Sequence, residues 1–188
     1  VGIQSLAGAR AVNKGKVIVG NSSSASAGIG ILAESSTINL TSVVNDSGAV
    51  IEMPYAGIGI YLDSLELGGS VTNAGTISST QANALGIYAK MSSTGVLGAP
   101  ITAITNTGSI NLSDNGFGIF TDNSTITNTG NITVGNTNSA GIYGAGTTSV
   151  DHNSGTITAG KESVGIATEE ETLLLTIPEE IFQWEKAE

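Results

Sequence analysis

Two short marks return in fixed order along the chain, and this recurrence limits the fold more than any other feature. A Gly-Ile pair stands at Gly2, Gly28, Gly57, Gly86, Gly118, Gly141 and Gly165, at spacings of 26, 29, 29, 32, 23 and 24 residues. Between these pairs lies the mark [VI]-x-N-x-G-x-[IV]. It is complete at Val71–Ile77, Ile104–Ile110 and Ile126–Ile132, and weaker around Asn13 and Asn153. A further copy carries one extra residue, Asn45-Asp46-Ser47-Gly48. The distance from each Asn to the next Gly-Ile is 15, 12, 13, 12, 13 and 12 residues, whereas the other half runs 11, 17, 16, 20, 10 and 12. A constant half and a variable half imply a fixed scaffold with loops inserted on one side.

Inside each unit the apolar period is two, the period of strands. Ile110-Asn111-Leu112 and Ile132-Thr133-Val134 alternate, and so do Ala27, Ile29, Ile31; Leu85, Ile87, Ala89; Phe117, Ile119; and Val164, Ile166. Asn followed two residues later by Gly suits a turn in left-handed backbone. One such unit cannot bury its apolar face alone, but stacked units can. The expectation is an all-β, right-handed parallel β-helix of about 6–7 coils. Its apolar residues point inward, its Ser and Thr outward, and coils repeat at ~4.8 Å. The turn residues Asn13, Asn45, Asn73, Asn106, Asn128 and Asn153 are expected to stack as a side-chain amide ladder. A β-sandwich is the competing fold, but it does not require the same two marks to return in one order.

The repeats occupy residues 1–168. From Glu169 onward there is no Gly or Asn, and this stretch holds seven of the 16 acids and the single Trp. Residues 169–188 read as a capping segment. Thr172–Ile177 forms a strand, and Pro178 opens a helix whose Ile181, Phe182 and Trp184 cover the end of the coil. Val1-Gly2-Ile3 matches Val164-Gly165-Ile166, so the chain is expected to begin inside a coil and to belong to a longer one.

Composition removes several function classes. With six Lys+Arg and a net charge of −10, no basic stripe exists to hold nucleic acid or an anionic membrane surface. No apolar run of ~18 residues is present to cross a bilayer as a helix. The absence of cysteine removes disulfides and thiolate metal sites. Abundant Gly, Ser, Thr and Asn disfavour long helices.

The recurring Ile-Thr-Asn-Thr-Gly-x-Ile (Ile104–Ile110, Ile126–Ile132) and Gly-Ile-Tyr (Gly86–Tyr88, Gly141–Tyr143) resemble passenger repeats of large bacterial autotransporter adhesins, type V secretion proteins of the fusobacterial surface-adhesin style. The resemblance covers about residues 1–168. It implies a rod on the bacterial cell surface, exported unfolded through an outer-membrane barrel. The implied partners are host or bacterial surface proteins or glycans.

No catalytic residue, metal ligand or cofactor is expected. The nine acids of the repeats are scattered, and Arg10 is the only Arg, whereas polysaccharide lyases and hydrolases need clustered carboxylates. Asp114-Asn115-Gly116 and Asp122-Asn123 offer oxygen ligands for calcium, but turn chemistry accounts for them better. His152, the sole histidine, reads as an exposed turn residue. The residue after the Gly-Ile pair faces outward, which places Tyr88, Phe120 and Tyr143 in an exposed aromatic strip that Tyr61 extends. The strip is read first as a stabilising ladder and second as a partner-binding surface. The variable inserts, 32–43, 62–70 and 90–103, are the other candidates for recognition. The expected function is a non-enzymatic adhesin segment. The alternatives are a carbohydrate-active β-helix enzyme or tailspike-like domain and, from Thr125-Ile126-Thr127 and Thr156-Ile157-Thr158, an ice-binding solenoid.

Overall fold

A computed structural model describes residues 1–20, 27–36, 39–64, 68–91, 102–146 and 148–169. The capping strand and helix expected after residue 169 lie outside these residues. Among the described residues every regular element is a strand, numbered β1 to β19 in chain order. The chain visits three sheets in turn. Sheet A holds β1 (Ile3–Ser5), β4 (Gly28–Glu34), β7 (Gly57–Ser64), β10 (Leu85–Met91), β13 (Phe117–Asp122), β16 (Ala140–Ala145) and β19 (Val164–Thr168). Sheet B holds β2 (Arg10–Asn13), β5 (Thr41–Asn45), β8 (Gly69–Asn73), β11 (Thr102–Asn106), β14 (Ser124–Asn128) and β17 (Ser149–Asn153). Sheet C holds β3 (Lys16–Ile18), β6 (Val50–Glu52), β9 (Thr76–Ser78), β12 (Ser109–Asn111), β15 (Asn131–Val134) and β18 (Thr156–Ala159).

All strand pairs are parallel, and each strand pairs with its counterpart in the next coil. This is a right-handed parallel β-helix: six full coils followed by the first strand of a seventh. An apolar column from each sheet fills the interior, and Ala33, Leu62 and Ala89 add a second from sheet A. Ile31, Ile60, Ile87, Ile119 and Ile142 come from sheet A; Val43, Val71, Ile104, Ile126 and Val150 from sheet B; Ile51, Ile77, Ile110 and Ile132 from sheet C. Close stacking of β-branched residues at strand spacing suits a packed solenoid interior.

The register corrects the sequence reading of the Gly-Ile mark. Coils two and three each contain two such pairs, and the column runs through the second, Ile31 and Ile60, rather than the pairs at Gly28 and Gly57. It also breaks the expected alternation. In β7, β10 and β13 the Gly and the Ile of the mark are both buried, while the residue before them is half-buried. Ile29, Ile58, Leu85 and Phe117 therefore lie outside the core, and Val164 is an exposed hydrophobic. The reason is packing across the coil. A Cβ on Gly59, Gly86 or Gly118 would lie 2.5, 2.7 or 2.5 Å from the Cγ2 of Ile77, Ile110 or Ile132 of sheet C. It would also press on a carbonyl oxygen of the next coil. Without that Cβ the backbone turns inward for two successive residues.

The other mark needs a second correction. None of the six turn Asn residues has positive φ, and of the glycines that follow them only Gly48, in the copy with the extra residue, does (φ +77°). Close approach explains four of the others, Gly15 in the first coil having open space beside it. A Cβ on Gly75, Gly108, Gly130 or Gly155 would lie 2.2, 2.1, 2.1 or 2.0 Å from a carbonyl oxygen of the preceding coil. The left-handed residues other than glycine sit at the other two corners: Asn83, Asn115, Asn138 and Glu162 between sheets C and A, and Ala7 and Asn123 between sheets A and B.

Between sheets A and B the described strands are separated by residues 35–40, 65–68 and 92–101. These are the length-variable inserts, shorter than the expected 32–43, 62–70 and 90–103 because β4, β7 and β10 end later and β5, β8 and β11 begin earlier.

Candidate functional site: an amide ladder and an aromatic face

At the corner between sheets B and C each marked Asn ends its strand with its side chain turned inward. Asn13 Nδ2 donates to Asn45 Oδ1 (2.9 Å), Asn45 to Asn73 (2.8 Å), Asn73 to Asn106 (2.7 Å), Asn106 to Asn128 (2.7 Å) and Asn128 to Asn153 (2.7 Å). The side chains are buried throughout. Backbone groups join in: the Asn45 carbonyl accepts from the amides of Ala74 (2.8 Å) and Gly75 (3.2 Å), and the Asn73 carbonyl accepts from those of Thr107 (2.8 Å) and Gly108 (2.9 Å). A buried primary amide needs both a donor and an acceptor partner, and a column of identical amides supplies both. The ladder has one polarity, every Nδ2 pointing toward the C-terminal coil.

On the outer face of sheet A, Tyr61, Tyr88, Phe120 and Tyr143 occupy one register row. Tyr61 and Tyr88 stack with centroids 5.1 Å apart, as do Phe120 and Tyr143. The two stacks meet edge to face, Tyr88 against Phe120, at 5.2 Å. Phe117 adds a fifth ring, edge to face with Phe120 (5.6 Å) and Tyr143 (5.8 Å). Parity with Ile119 predicts Phe117 inside, and the register places it outside. The signal that finds it is the Gly118 between them, which marks the break in alternation. All five rings are half-buried, and such pairs contribute ~0.5–1.5 kcal/mol each beyond burial.

One row further toward the inserts lie Glu34, Asp63 and Lys90 in register, continued by Asp122 one residue past the Ala89–Thr121 pair. Lys90 Nζ is 3.0 Å from Asp63 Oδ2, and the Tyr61 hydroxyl donates to the same oxygen at 3.2 Å. The Asp63 hydrogen bond, reinforced by Tyr61, holds the Lys90 ammonium well above its usual range. Burial pushes the Tyr61 phenol up, with hydrogen bonding to Lys90 acting against it. Asp63 Oδ1 is buried without a hydrogen-bond partner among the described residues. At the end of the rod the Tyr143 hydroxyl donates to Glu169.

The remaining sequence candidates are turn and surface residues. Asp114 Oδ1 accepts from the Asn136 amide (2.7 Å) across coils. Asp122 lies on β13 and Asn123 just beyond it, at the corner between sheets A and B, away from Asp114. No group of three or more His, Cys, Asp or Glu is arranged for a metal among the described residues. His152 lies on β17 rather than in a turn, exposed, where an irregularity pairs it with Thr127. The two Thr-x-Thr segments fall on different sheets, β14 and β18, and so do not form one flat threonine face.

A rod of parallel coils with a filled interior is the architecture of pectate lyase-like domains, and the profile of one such family, the BigA third pectate lyase-like domain, matches residues 1–142. The chain belongs to this family. BigA is a bacterial surface protein of adhesin type, in line with the adhesin resemblance of the repeats, and the chain is a β-helical, pectate lyase-like domain of a surface protein. Comparison with curated proteins and with solved structures returned no match.

Proposed function

We propose that the chain is a non-enzymatic segment of a bacterial surface adhesin, a stiff stalk that carries recognition elements away from the cell. The observation that carries this reading is the match to a BigA domain over a repeat whose interior is closed by side chains. Ile, Val and Asn columns run through all six coils and leave the outer surface as the place for contact. The export route through an outer-membrane barrel, the location on the outer membrane and the role in virulence follow from the autotransporter resemblance. Partners are host or bacterial surface proteins or glycans. They meet the inserts between sheets A and B or the outer face of sheet A. Among the described residues no helix is long and apolar enough to cross a membrane.

The pectate lyase-like name leaves polysaccharide cleavage as the second reading. Its chemistry needs carboxylates together with a base or an acid within reach of one sugar. Most acids are dispersed, with Glu52 on β6, Asp114 at a corner and Asp151 on β17, and Arg10 lies on β2 of the first coil. In the one row that gathers three acids, Glu34, Asp63 and Asp122 on sheet A, Asp63 is held by Lys90 and Tyr61, and this favours the adhesin.

Beads coated with the purified domain should attach to epithelial or bacterial cells, and soluble domain should compete. Attachment no better than that of albumin-coated beads, together with release of sugar ends from pectin or a related polysaccharide, would overturn the adhesin reading.

A further inference from the structure

We propose that the outer face of sheet A docks a partner polypeptide whose apolar stripe is edged by Lys or Arg. The proposal rests on the surface-adhesin reading above and names the partner class.

The break in alternation at each Gly-Ile gives sheet A two outward apolar rows instead of one. Leu85 and Phe117 stand in the first, beside Tyr88 and Phe120 in the second. Leu85 is not packed against the core, and all four are half-buried. Apolar side chains left partly open over adjacent strands and rimmed by charge form a contact surface rather than ordinary surface scatter.

The geometry of the rings selects the partner. Sugars stack on open ring faces that lie flat along a surface. Here Tyr61 covers Tyr88 and Phe120 covers Tyr143, at 5.1 Å in each pair. Rings lying flat side by side cannot have centroids that close, so within each pair one ring covers part of the other's face. Aromatic edges carry positive partial charge and pack against aliphatic side chains and other rings.

The charge along the rim selects further. The outward row beside the rings reads Glu34, Asp63, Lys90, Asp122, with one cation among three carboxylates. The chain as a whole has net charge −10. Lys90 is held by Asp63 Oδ2, which leaves Asp63 Oδ1 buried and without a partner among the described residues. A Lys or Arg at the edge of an apolar stripe would pair with the outward Glu34 and Asp122 carboxylates of this row. An anionic membrane would be repelled by the same row.

The test uses the full chain and three probes. These are a fluorescent amphipathic peptide with a Leu stripe edged by Arg, the same peptide with Glu in place of Arg, and a set of pectin- and chitin-derived oligosaccharides. The Arg peptide should bind, and its affinity should fall at least about tenfold from low salt to half-molar salt. Removing the acid row (Glu34→Gln/Asp63→Asn/Asp122→Asn) should weaken it about tenfold. Lys90→Gln removes the competing cation and should tighten it. Tyr88→Ser/Phe120→Ser should abolish binding, with circular dichroism reporting the fold. Should that pair not fold, the acid-row and Lys90 variants decide alone. Equal binding of the Glu peptide, indifference to the acid row, or oligosaccharide binding lost on Tyr88→Ser/Phe120→Ser would overturn the proposal. Bead attachment that survives loss of peptide binding sinks this partner and leaves the adhesin reading standing. Peptide binding without bead attachment does the reverse.

Discussion

Asn106 illustrates how much a single residue carries in this fold. Its Nδ2 donates to Asn128 and its Oδ1 accepts from Asn73, both at 2.7 Å and both buried. Asn106→Ala orphans two buried amides, each costing ~1–3 kcal/mol. Asn13→Ala, at the start of the ladder, should cost clearly less, because Asn45 alone loses a fully buried partner while the Val50 carbonyl and Gly15 amide that Asn13 also serves are part-buried. Urea unfolding of the two variants checks the difference; equal costs would mean that the ladder is not cooperative. The glycines divide in the same way. A Cβ on Gly108 would lie 2.1 Å from the Gly75 carbonyl oxygen, whereas one on Gly15 meets nothing within 4 Å. Gly108→Ala should destabilise by ~1–3 kcal/mol through overpacking, while Gly15→Ala should be neutral or stabilise by up to ~1 kcal/mol by restricting the unfolded chain. The Tyr61 phenol is raised by burial and the Lys90 ammonium by its contact with Asp63. Both groups therefore favour the folded state while protonated, and that contribution is complete below their ordinary values of 10.0 and 10.5. It is lost as pH rises through the folded values. Melting temperature should fall above about pH 10 more steeply for the wild type than for Tyr61→Phe/Lys90→Met. Parallel curves would show that the cluster contributes nothing.

At the scale of the strand, sequence periodicity went a long way and then stopped at a definite place. The repeat length, the parallel stacking and the Asn column follow from spacing alone, because a coil must return each residue to the same corner. The alternation inside sheet A did not survive, since Leu85 and Ile87 are two residues apart and yet face different ways. The one local sign is the intervening Gly86, whose meaning depends on its neighbour across the coil. The cause is Ile110 of sheet C, whose Cγ2 fills the space where a Cβ on Gly86 would stand. Tertiary packing across the coil thus overrides the period of two. The same contact explains why coils two and three, with Gly-Ile-Gly-Ile, were read two residues out of register. The aromatic row was legible because Tyr88, Phe120 and Tyr143 follow the Gly-Ile pair directly, while Phe117 and the acid row needed the register. Asn in left-handed turns was the wrong reason for the second mark. Gly108 and its counterparts are there to let carbonyl oxygens of neighbouring coils come close.

As a whole the molecule is a one-dimensional stack in which each coil touches only its neighbours. Stability in such arrays is a sum of coil and interface terms, and whole coils can be removed without changing the rest. Excising residues 107–128 joins Asn106 to Thr129 and keeps every column in register. The shortened chain should fold to the same far-ultraviolet spectrum, with a lower melting temperature and a rod shorter by ~4.8 Å in small-angle scattering. An unfolded product would show that the coils are not equivalent units. The most direct test of the parallel stack is disulfide trapping, made clean by the absence of native cysteine. Thr72 pairs with Thr105, and Thr105 with Thr127, on half-buried positions of sheet B. Neighbouring strands lie within disulfide reach and strands two coils apart do not. Thr72→Cys/Thr105→Cys and Thr105→Cys/Thr127→Cys should each close an intramolecular disulfide on mild oxidation, and Thr72→Cys/Thr127→Cys should stay reduced. Closure of the third pair with the first two open would contradict the stacked-coil account.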